Sequence, residues 1–158
     1  MEAPEKALEI KAAIAAVFAF GTALFGWIGW LILIWVNTML IDYVTGSAAA
    51  IRNGVWSSTK ARQGLWHKLG SIAAILVAAL ADIALKVIIG QLGIAFDYAG
   101  YITPVVCAWY IFTELGSILE NAVKLGVKVP EFLLKIINRL EHEVEDRGKE
   151  MADENKKE

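Results

Sequence analysis

Residues 12–41 contain no Asp, Glu, Lys, Arg or His. As a helix rising 1.5 Å per residue this run reaches about 45 Å, against a hydrocarbon core of roughly 30 Å. One tilted or overhanging span fits that length. Two do not, because each half would hold only about 13 residues where a crossing takes about 20. Two further apolar blocks follow at 69–96 and 98–119. The whole chain is 57% apolar with a mean hydropathy of +0.52, above the roughly 45–50% apolar share of soluble domains. The expected fold is an all-α integral membrane protein with three transmembrane helices.

What lies outside those blocks is small: a polar N-terminus over 1–11, a loop over 42–68 and a tail over 120–158. That leaves no room for a large soluble catalytic domain. The first apolar run is too long for a signal peptide, and Glu2, Glu5, Lys6, Glu9 and Lys11 before it are mixed in sign, so the N-terminus is expected to be retained. Cys107, the sole cysteine, sits in an apolar block and reads as a buried, inert thiol, which excludes an internal disulfide. His67 and His142 lie in different segments, and neither has a second metal ligand at the required spacing. No phosphate-binding loop, nucleophile motif or nucleic-acid signature is present. The chain reads as a non-enzyme without cofactor, metal or nucleic-acid partner.

Basic residues set the orientation. Twelve of the 15 Lys and Arg side chains fall in the loop (Arg52, Lys60, Arg62, Lys68) or after Leu119, and only Lys6 and Lys11 fall on the other side. By the positive-inside bias the N-terminus is outside and the C-terminus cytoplasmic. Trp56 and Trp66 among the loop's basic residues suit a basic interfacial segment at headgroup level. Asp42 reads as the stop signal of the first span.

Small residues at Ala15, Ala19 and Ala23 of the first span recur at four-residue spacing, which lets helix backbones approach closely; ordinary lipid-facing surface is the alternative. Asp82, Lys86 and Glu114 interrupt the second and third spans. A charge at the centre of a span costs about 2.5–3.5 kcal/mol on insertion scales, so each requires compensation. Asp82 and Lys86, four apart, share a helix face with Ser71, Ala74 and Ala78. That stripe of small and polar residues is expected to face protein or water, either as ion pairing within one protomer or as subunit packing and pore lining. Glu114 reads either as a third such residue or as an acid reaching the cytoplasmic interface.

After Pro130 the spacing of Leu133, Ile137, Leu140 and Val144 predicts an amphipathic helix over 131–147 with an a/d seam. Glu131 with Lys135, Glu143 with Arg147, and Glu145 with Lys149 add favourable i, i+4 pairs. Glu141, His142 and Glu143 read as a solvated face. The helix either coils with copies of itself or lies on the bilayer surface.

An ordered set of residues then resembles the toxin-secretion/phage-lysis holin family over roughly residues 40–150. The set comprises Asp42-Tyr43-Val44-Thr45-Gly46, Gly54-Val55-Trp56-Ser57-Ser58, Gly64-Leu65, Lys68 and Asp82. Glu114-Leu115-Gly116-Ser117-Ile118-Leu119-Glu120-Asn121 and Leu125-Gly126-Val127-Lys128-Val129-Pro130 complete it. The resemblance marks Asp42, Gly46, Ser58, Asp82, Glu114, Ser117, Glu120, Asn121 and Pro130 as family positions. It implies a phage-encoded multi-pass protein of the bacterial cytoplasmic membrane that associates with itself in the lipid bilayer. It further implies lesions through which an endolysin, or in some relatives a toxin, leaves the cytoplasm. An antiholin or scaffold subunit without pore activity and, less favoured, a small ion transporter are the rival readings.

Overall fold

The computed structural model describes residues 26–95, 98 and 100–153, with positions 8, 11, 12, 15, 16 and 19 before them. Among the described residues there are four long helices and no strand: α1 (Trp27–Arg52), α2 (Ser58–Leu92), α3 (Ile102–Lys124) and α4 (Glu131–Asp153). The first three are each long and apolar enough to cross a membrane. Ala15 and Ala19 are helical and exposed, while Ala23 lies outside the described residues.

The first span, expected over 12–41, is found at Trp27–Arg52: it opens after Gly26, whose φ of +56° is not helical, and it does not stop at Asp42. It continues to Arg52, and the loop expected over 42–68 contracts to residues 53–57. Local chemistry accounts for both ends. The Thr45 hydroxyl donates to the Ile41 carbonyl at 2.8 Å, and the run Ala48-Ala49-Ala50 has the highest helix propensity available. Ser57 then caps α2 by accepting from the Lys60 N–H at 3.2 Å, which satisfies one of the donors that a helix start leaves unpaired. At the far end of α2, Gly93 takes a left-handed conformation, φ +65°, and its N–H closes on the Ile89 carbonyl, an arrangement that glycine accepts without a Cβ clash.

α1 and α3 run parallel and pack on each other, and α2 runs antiparallel to both, packing mainly on α3. The C-terminal ends of α1 and α3 meet where Asn53 Nδ2 donates to the Lys124 carbonyl at 3.4 Å. The apolar centre is a cluster of Trp35, Ile75, Cys107 and Ile111, with Leu31, Met39, Val106 and Tyr110 packed around it. Cys107 is fully buried and unpaired. Elsewhere the large apolar residues point outward: Leu76, Val77, Leu80 and Ile83 on α2, and Trp30, Ile34, Leu40 and Val44 on α1, are all exposed. Such a surface has hydrocarbon, not water, as its natural solvent.

α4 folds back along α3. Ile137 lies 3.9 Å from where a Cβ on Gly116 would stand, and Val105 lies 3.6 Å from where one on Gly148 would stand. The Thr113 hydroxyl donates to Glu141 Oε1 at 2.7 Å. The seam therefore differs from the expected one: Leu133, Ile137, Glu141, Val144 and Gly148 turn inward, and Leu140 is exposed. Glu141 replaces Leu140 because the Thr113 hydroxyl gives its carboxylate a donor on α3. Glu131 with Lys135 (3.6 Å) and Glu145 with Lys149 (2.9 Å) pair along the outer face, whereas Arg147 pairs with Glu150 (3.1 Å) in place of Glu143. The hydrogen bond from Lys149 to Glu145 raises the pKa of that ammonium above its ordinary value.

Candidate functional site

Two polar fastenings hold α2 to the other spans. At one level, Lys68 of α2 places its Nζ 2.6 Å from Glu114 Oε2 on α3 and 3.0 Å from Asp42 Oδ2 on α1. The three side chains are 11–19% exposed, so the ions are largely removed from water and each depends on the others. Asn121 completes the cluster by donating to Asp42 Oδ1 at 2.9 Å. Gly46 makes that approach feasible, since a Cβ there would come within 3.3 Å of Asn121 Nδ2. Five separated positions thus form one constellation: Asp42, Gly46, Lys68, Glu114 and Asn121.

The second fastening is Asp82. Its carboxylate accepts from the backbone N–H groups of Ile102 (3.1 Å) and Thr103 (2.8 Å) and from the Thr103 and Tyr98 hydroxyls. Tyr101, at the N-cap of α3, supplies no side-chain bond, so an acid from the neighbouring helix caps α3 in its stead. A negative charge at a helix N-terminus meets both unpaired N–H donors and the favourable end of the dipole. The turn beside the Asp82 carboxyl is made by Gly100, whose φ of +78° lies in the left-handed region that favours glycine.

The i, i+4 spacing of Asp82 and Lys86 invites an ion pair, but the structure forms none there. Asp82 is buried on the stripe of Ser71, Ile75 and Ala78 that faces α3, Ala74 is half-buried beside it, and Lys86 is exposed one turn further on. The reason is competition: three donors from the α3 start and the Tyr98 hydroxyl before it already occupy the carboxylate.

Ser117 lines a cleft of about 700 Å³ that also borders Lys68, Glu114, His67, Trp66 and Trp109. Asp42 and Lys68 line a second, smaller cleft with Trp56 and Lys60. Ser58 opens α2 and is exposed, Pro130 precedes α4, and Glu120 pairs with Lys124 on the surface at 3.5 Å. Sequence reasoning counted Lys68 among the loop's basic residues and did not place it opposite Glu114. Among the described residues no group of three His, Cys, Asp or Glu could hold a metal ion. Chemically the constellation locks helices together through paired, mutually hydrogen-bonded ions.

Three apolar spans fastened by buried polar groups define a multi-pass helical membrane protein. The chain belongs to the bacteriophage holin family, whose model matches residues 19–142; that family is one of membrane pore formers, not enzymes. An uncharacterized protein of Listeria innocua is 32% identical over 122 residues, which cover 77% of each chain. One of Halalkalibacterium halodurans is 33% identical over 82% of this chain and 89% of its own. A third, from Clostridium perfringens, is 28% identical over 65% and 68%. No solved structure matches.

Proposed function

We propose that the chain acts as a holin of the bacterial cytoplasmic membrane, with its N-terminus outside and its C-terminus in the cytoplasm. Copies gather in the bilayer and open lesions that release an endolysin or a toxin. The observation that carries this reading is the way α2 is held. Its outer face is apolar, and buried charges fasten it to α1 and α3 at two levels. Lys68 and Asp82 are 14 residues apart, about 21 Å along the helix, which is less than the roughly 30 Å hydrocarbon core. At least one fastening therefore lies within the lipid layer, where parting the helices exposes charge that only water can solvate. A hole built by several copies supplies that water. The basic side chains Arg52, Lys60, Lys124 and Lys128 cluster around the joined ends of α1 and α3, which supports that end as the cytoplasmic one.

The test is inducible expression of the full chain alone in bacteria, followed by dye entry and potassium loss. Sudden permeabilisation after a lag is expected, with Asp82→Leu shifting or abolishing its onset at equal expression. A membrane that stays tight would move the assignment to an antiholin or scaffold, and saturable, ion-selective flux would move it to a transporter.

A further inference from the structure

We infer that α1 carries a self-association face, on which Asn37 of one copy meets Asn37 of a second copy across a parallel helix pair. This rests on the reading above that copies gather in the bilayer, and it names the surface through which they do so. Asn37 lies near the middle of α1, ten residues after Trp27 and five before Asp42. At 1.5 Å per residue it stands about 7.5 Å from the level of Lys68 and Asp42, toward the level of Asp82. It is therefore within the stretch that the two polar fastenings bracket. Its side chain is exposed, on a different face from the buried Trp35, Thr38 and Ala49.

The chain itself uses only part of that carboxamide. One Nδ2 hydrogen goes to the Leu33 carbonyl at 2.8 Å, and the remaining N–H and the Oδ1 carbonyl are bonded to no described residue. Thr38 beside it needs nothing further, because its hydroxyl donates to the Trp35 carbonyl at 2.8 Å. Hydrocarbon offers Asn37 no such relief, so the free donor and acceptor call for protein. A carboxamide is its own complement: two of them facing across a two-fold axis exchange N–H to O=C bonds and satisfy each other. The surrounding residues fit a helix of the same kind. Ile34, Asn37, Ile41, Val44 and Ala48 recur at alternating intervals of three and four, and all are exposed. That is the heptad seam along which parallel helices interlock at a left-handed crossing of about 20°. Copies inserted in one orientation hold this seam at one depth, which brings Asn37 against Asn37 in register. An apolar seam gains little over lipid by itself, and the hydrogen bonds between the carboxamides supply the preference.

The experiment follows association and leakage in the same vesicles. The full chain carries either of two fluorophores on its N-terminal amine, and energy transfer between copies is read as the protein is diluted in lipid. Asn37→Leu should weaken association about tenfold, the size expected of interhelical hydrogen bonds, with helicity unchanged because the residue is exposed. Asn37→Gln keeps a carboxamide and should retain most of the affinity. In a Cys107→Ala background, Ile41→Cys should form a disulfide-linked pair on mild oxidation, and Val36→Cys, exposed on a neighbouring face, should not. An Asn37→Leu chain that associates as tightly as its parent, or cross-linking at position 36 in preference to 41, would overturn the inference and leave the holin reading standing. Association that depends on Asn37 in vesicles that stay sealed at high loading would remove the holin reading and leave the face. A chain that stays a single protomer would remove both.

Discussion

Gly46 and Asn121 fit together through an absent methyl group: a Cβ on Gly46 would stand 3.3 Å from Asn121 Nδ2, the atom that donates to Asp42 at 2.9 Å. Residues 75 positions apart are thus matched in shape, and the match brings α1 and α3 close enough to share a half-buried carboxylate. Gly46→Val should force Asn121 off Asp42 and cost about 1–3 kcal/mol, as overpacking does. Adding Asn121→Ala should recover part of that loss, so the two changes should be non-additive. Thermal unfolding of the four proteins in detergent reads the coupling, and strict additivity would contradict the contact.

Lys68 carries two carboxylates. Its replacement by Met leaves Glu114 and Asp42 facing each other without a cation, and breaking a buried pair in this way costs about 3–5 kcal/mol. Combining Lys68→Met with Asp42→Asn and Glu114→Gln should restore most of the stability, because no uncompensated charge remains. Denaturant titration of helicity would separate the outcomes: a triple variant no better than Lys68→Met would show that the ions do not act as a unit.

Asp82→Ala should loosen the start of α3 specifically. Two backbone donors lose their acceptor, at about 1–3 kcal/mol for unsatisfied buried groups. Hydrogen exchange at Ile102 and Thr103 should accelerate about tenfold or more, while Lys86→Leu leaves it unchanged. Equal acceleration in both variants would return the pairing to Asp82 and Lys86.

The number of spans was legible because length and apolar content fix it without knowledge of partners, but their bounds were not: the first, read over 12–41, is found at Trp27–Arg52. Nor were the polar fastenings. Asp42 in isolation has the signature of a helix end, and the cation that makes its carboxylate tolerable inside a helix bundle is Lys68, 26 positions later. Helical periodicity correctly put Asp82 on the stripe with Ser71 and Ala78, yet the partner it named was the local one, Lys86. Local spacing cannot weigh a lysine on the same helix against backbone donors arriving from another. The α4 seam failed for the same reason, since the apolar pattern favours Leu140 and only the Thr113 hydroxyl on α3 favours Glu141. Among the family positions, Gly46 and Asn121 gave no sign in the sequence of their contact.

The most direct test of the account is dye release from vesicles loaded with increasing densities of the purified chain, with its assembly state followed in the same bilayers. Release should rise much more steeply than in proportion to density and should begin where oligomers appear. A chain that remains a single protomer and leaves vesicles sealed at high loading would contradict it.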